Sequence, residues 1–65
     1  MRNPEVVKQE MHALIHMLER RYTWLSKREN KMRDTYQAVL RDTRKMEIQL
    51  IELKQEYKEL LQTKN

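Results

Sequence analysis

The sequence predicts an all-α chain, a single long helix that pairs with a second chain in a left-handed coiled coil. Three observations lead there. The chain is 65 residues with no Gly, no Cys and one Pro (Pro4), so it offers few breaks to a helix. Only 38% of it is hydrophobic against 37% charged, and mean hydropathy is −1.06. Those few apolar residues nevertheless repeat every seven positions, which separates a helical seam from disorder.

The helix begins legibly. Asn3 is a good N-cap, Pro4 suits the first helical position, and Glu5 complements the positive end of the helix dipole. Residues 1–3 are therefore expected as a cap, residues 4–63 as one continuous helix, and residues 64–65 as a frayed end cut from a longer helix. At ~1.5 Å per residue such a rod would run roughly 90 Å.

The seam follows alternating steps of four and three: Met11, Ile15, Leu18, Tyr22, Leu25, Glu29, Met32, Tyr36, Val39, Thr43, Met46, Leu50, Leu53, Tyr57 and Leu60. In heptad lettering Met11, Leu18, Leu25, Met32, Val39, Met46, Leu53 and Leu60 are d positions, and all are apolar. Ile15, Tyr22, Glu29, Tyr36, Thr43, Leu50 and Tyr57 are a positions. A sustained repeat of seven predicts a left-handed supercoil. Glu29 and Thr43 read as seam residues that trade stability for register, so replacing Glu29 with Leu is expected to raise the melting temperature. A hairpin is the structural alternative, because residues 26–31 (SKRENK) contain no apolar side chain. That stretch lacks Gly and Pro and the heptads cross it in phase, so the continuous helix is preferred.

Strand direction follows from charge. In a parallel homodimer each g position faces the e position five residues on, so Arg28 meets Arg33 and Asp42 meets Glu47 of the second chain, while Glu29 faces its own copy. Reversing one helix removes these collisions and sets Tyr22 against Leu53 and Tyr57 against Leu18. The antiparallel dimer is therefore favoured over the parallel one, although long homodimeric coils are more often parallel. Val7 and Leu14 at g, Leu40 and Leu61 at e, and Ile48 and Ile51 on the outer face widen the apolar surface beyond a two-stranded seam. They point to a further contact, such as a four-helix assembly.

Nothing in the chain suggests catalysis or a cofactor. There is one Ser (Ser26) and no Cys, so nucleophile chemistry has little to draw on, and no phosphate-cradling loop exists without Gly. His12, His16 and Glu19 share a helical face at metal-ligand spacing, but a bare two-His spacing more often marks solvated polar residues, and no metal site is expected. Arg20, Arg21 and Tyr22 precede Thr23 in the manner of a basophilic phosphorylation site, a pattern common by chance.

Charge is uneven. Residues 20–45 carry nine Lys or Arg against three acids, net +6, while each flank is −1. Basic residues inside the heptads do not fit a zipper-type reader, whose basic block precedes its heptads, so no specific DNA binding is expected. Trp24 falls on the outside of the predicted rod among Arg20, Arg21, Lys27 and Arg28, one heptad beyond Met17. With Ile48 and Ile51 these residues form the candidate partner surface.

The function expected from this pattern is coiled-coil oligomerisation and assembly within a larger structural scaffold, of the cytoskeletal or centrosomal kind. The alternative is a recognition module whose Trp and basic face bind another protein or an acidic polymer such as tubulin tails. The expected partner is a second copy, in a dimer or tetramer, or else another coiled-coil protein. No apolar run is long enough to insert in a membrane, and an intracellular, cytoplasmic setting is expected.

Overall fold

The structure is a computed structural model that describes residues 2–62. It is all-helical, and it corrects the continuous rod. Helix α1 runs Pro4–Ser26 and helix α2 runs Thr35–Gln62, joined through a 3-10 turn at Arg28–Met32. The two helices fold back against each other, giving a hairpin 52 × 15 × 13 Å. The expected helix end at Thr63 and the frayed residues 64–65 lie outside the described residues.

Helix α1 starts where Asn3 takes an extended backbone and its Oδ1 accepts the Glu5 N–H at 2.9 Å, with Pro4 next in the chain. It ends where side chains begin to compete for the backbone. Thr23 Oγ1 donates to the Glu19 carbonyl at 2.9 Å and Ser26 Oγ to the Thr23 carbonyl at 2.8 Å. Lys27 then turns extended, at φ −72° and ψ 127°.

The reversal uses short i to i+3 bonds. Lys27 N–H donates to Trp24 O at 3.3 Å, Asn30 N–H to Lys27 O at 3.1 Å, Arg33 N–H to Asn30 O at 3.1 Å, and Tyr36 N–H to Arg33 O at 3.0 Å. Asn30 closes the loop from inside. It is only 5% exposed, and its Nδ2 donates to the Trp24 carbonyl at 2.7 Å, satisfying a backbone acceptor at the end of α1. No described non-glycine residue has positive φ. Two extended residues, Lys27 and Arg33, bracket the 3-10 turn, so the chain reverses without any position that demands Gly.

The core lies between the helices. Val7, Leu18 and Leu25 from α1 are buried with Met46 and Leu60 from α2. Thr43 is buried among them, and its hydroxyl donates to the Val39 carbonyl one turn back at 2.7 Å. Of the expected seam residues, Leu18 and Leu25 on α1 and Thr43, Met46 and Leu60 on α2 are buried, whereas Tyr22 is corrected: it is 45% exposed with its hydroxyl on Glu47, because it lies at the edge of the helix contact. Two further corrections fall at the turn. Met32 is 87% exposed and Glu29 is exposed, because the helix carrying their heptad positions is interrupted there. Glu29 therefore does not sit in a seam, and the stabilisation expected from replacing it with Leu loses its basis.

Three polar clasps cross the hairpin. Arg2 reaches Glu10 on α1 and Glu56 on α2, with Nη2 to Glu56 Oε1 at 2.5 Å and Nη1 to Glu10 Oε2 at 2.7 Å. Arg21 pairs with Asp42 at 2.9 Å. Tyr22 hydroxyl donates to Glu47 Oε2 at 2.6 Å. All three lie at the rim, where solvent screens them and each contributes little to stability.

Candidate functional site

Folding back changes what the surface offers. The basic stretch 20–45 now forms the turn end of the hairpin, while the described parts of the two flanks, residues 2–19 and 46–62, carry more acids than bases and run to its open end. A sequence with a basic middle has become a molecule with one strongly basic end.

Between the helices, one flank is an open groove. Ala13, Leu14 and Met17 of α1 face Gln49 and Leu53 of α2 along its central part. Met17 is 48% exposed there. Toward the open end the groove is rimmed by Glu10, Glu52 and Glu56, with Arg2 among them. Toward the turn it continues past Met17 to Trp24 and Val39, rimmed by Arg20 and Arg21. The groove is apolar along its floor, acidic at one end and basic at the other.

The candidate partner residues separate accordingly. Met17, Arg20, Arg21 and Trp24 share this groove. Lys27 and Arg28 stay exposed at the turn. Ile48 lines a different, shallow depression with Leu40, Arg44 and Lys45, and Ile51 is 66% exposed on the same helix. Trp24 is half-buried, which corrects its expected place on the outside of a rod. The reversal brings Tyr36 alongside, and the two rings stack with centroids 6.4 Å apart and planes 23° from parallel. Such a pair contributes ~0.5–1.5 kcal/mol beyond the area it covers. Sequence reasoning passed over Asn30, and it did not bring Leu14, Gln49 and Leu53 together as the floor of a groove. The signal for the groove was present in Leu14, one of the g residues that widen the apolar stripe.

The electrostatics are modest. Hydrogen bonds from Arg2 are the main cause holding the Glu56 carboxyl below its ordinary range, and the same bonds hold the Arg2 guanidinium further into its charged form. The bond to Glu47 pushes the Tyr22 phenol above its ordinary value. His12 and His16 are both exposed, and among the described residues no cluster of three or more His, Cys, Asp or Glu could hold a metal ion. No helix among the described residues is long and apolar enough to cross a membrane.

No protein family, curated protein or solved structure matches the chain.

Proposed function

We propose that this hairpin is an assembly module that joins copies of itself, and through them the scaffold to which it belongs. The observation that carries the reading is surface. The chain exposes 5453 Å², whereas a compact monomer of its mass exposes about 4,500 Å². Part of that excess is apolar: Met17 is 48% exposed on the groove flank, and Ile48, Ile51 and Leu61, between 47% and 66% exposed, lie away from that groove on α2. Two antiparallel helices cover only one stripe of each other, and pairing two hairpins into four helices covers the next. The role asks for no chemistry. A cytoskeletal or centrosomal scaffold is the class in which such modules are commonest.

Sedimentation equilibrium of the 65-residue chain tests this. The reading expects a multiple of 8.1 kDa at micromolar concentration, with helicity falling on dilution. A monomer of unchanged helicity across a hundredfold dilution contradicts it.

A second reading has its own observation, the net +6 stretch gathered at the turn end beside Trp24. A surface of that sign suits an acidic protein tail. Replacing Lys27, Arg28 and Lys31 with Gln separates the two: an assembler keeps its mass and role, whereas a recognition module keeps its mass and loses its partner.

A further inference from the structure

The groove centred on Met17 and Gln49 is, we infer, the face through which two hairpins join, with the second copy laid antiparallel across it. This rests on the assembly reading above and adds which face is used and which way the copies run.

Two features select a second copy as the occupant. The first is the apolar lining: Leu14, Met17 and Leu53 line one stretch of the groove and Met17, Trp24 and Val39 the next, with Met17 shared by both. The second is charge. A groove acidic at one end and basic at the other is complementary to itself when one copy is reversed, and repels itself when both copies run the same way.

The register follows from helix geometry. Met17 and Gln49 face each other across the groove, so a two-fold axis through that point sets Met17 against its own copy. Such an axis exchanges the two ends of the hairpin and leaves each helix on its own side, so α1 of one copy lies along α1 of the second in the opposite direction. Arg20 lies three residues nearer the turn than Met17, and Leu14 three residues nearer the open end, each about 4.5 Å from the axis at ~1.5 Å per residue. The two-fold therefore places Arg20 of one copy opposite Leu14 of the second. By the same step Trp24, seven residues from Met17, lies opposite Glu10, seven residues the other way. An isologous contact repeats each of these pairs twice.

The chain has no Cys, so single cysteines report on this directly. Met17→Cys should crosslink to itself under mild oxidation, while Ile51→Cys, on the outer side of α2, should not. In sedimentation, Met17→Glu should weaken the dimer at least about 30-fold, as charging the centre of an interface does, and Ile51→Glu should leave it intact. Arg20→Cys chains mixed with Leu14→Cys chains should crosslink to each other. A dimer that persists in Met17→Glu and dissociates in Ile51→Glu overturns the choice of face and leaves the assembly reading standing. Absence of the crosslink between Arg20→Cys and Leu14→Cys chains, with Met17→Cys still crosslinking to itself, overturns the antiparallel register. A parent chain that is monomeric throughout overturns the assembly reading itself. The crosslink works at trace concentration, so it decides the matter even where Met17→Glu does not fold.

Discussion

Asn30 is the residue on which the turn depends, and its replacement gives the sharpest mutational expectation. Its side-chain amide donates to the Trp24 carbonyl at 2.7 Å, and the residue is only 5% exposed. Asn30→Ala removes that bond, but the Trp24 carbonyl keeps the Lys27 N–H at 3.3 Å, so no acceptor is left unpaired. The loss is then about 1 kcal/mol, the net contribution of one hydrogen bond. Asn30→Asp keeps the shape and replaces the donor with a carboxylate oxygen aimed at a carbonyl, which costs about 2–3 kcal/mol. For a domain this small each kilocalorie moves the melting point by about 4–8 °C. The Ala variant should melt about 5 °C low and the Asp variant about 10–20 °C low, measured by circular dichroism at one fixed protein concentration. The new carboxyl would have a folded pKa above its unfolded value of about 3.9. The folded state then binds more protons, so the Asp variant should recover stability as pH falls through that folded pKa, when the protonated group can donate again. Melting points of both variants within about 2 °C of the parent would refute the role given to Asn30, since ~1 kcal/mol alone shifts melting by more than that.

Four further outcomes follow from the same contacts. Glu29→Leu, which a continuous seam would reward with a higher melting temperature, should stay within about 0.5 kcal/mol of the parent, as expected for an exposed turn position; chemical denaturation measures it. Thr43→Val should be nearly neutral in the same assay, because the lost hydroxyl bonds only a carbonyl of its own helix at Val39. The Glu56 carboxyl, held low by Arg2, contributes stability above the ordinary carboxylate range and loses it as pH falls through the folded pKa; carboxyl NMR titration should show the depression in the parent and its absence in Arg2→Ala. The Tyr22 phenol is raised, so its bond to Glu47 contributes fully below the ordinary phenol value of 10.0 and is lost as pH rises through the higher folded pKa; ultraviolet titration should show Tyr22 ionising earlier in Glu47→Gln than in the parent.

Most of the core was legible and the topology was not, for one physical reason. Leu18, Leu25, Thr43, Met46 and Leu60 of the expected seam are buried on either side of the turn, while Tyr22 is exposed at the edge. A heptad seam specifies the buried stripe of a helix and says nothing about whether its partner is another chain or the same one. Phase continuity across residues 26–31 looked like evidence for one helix. Leu25 and Val39 are fourteen residues apart, two whole heptads, so a turn between them leaves the phase unchanged. The lack of Gly misled in the same way. A 3-10 turn between two extended residues needs no positive φ, and Asn30 supplies from its side chain the donor that a C-terminal Gly usually arranges from the backbone. The usable signal was the polar run itself together with Met32, a single d residue beside six consecutive polar positions. The groove was half legible. Met17, Trp24 and the two arginines were singled out for exposure and charge, but Leu53 and Gln49 join them only once the chain reverses.

The central claim is that the chain doubles back, and one distance tests it most directly. Spin labels at exposed Lys8 and Glu59, in a sample diluted with excess unlabelled chain, report the separation of the two arms within a single molecule. The hairpin sets these positions side by side near its open end, which predicts a distance of roughly 20 Å, two helix diameters. A continuous helix separates them by 51 residues, or about 75 Å at 1.5 Å each. A dominant population near the longer distance would contradict the hairpin and, with it, the groove and the assembly built on it.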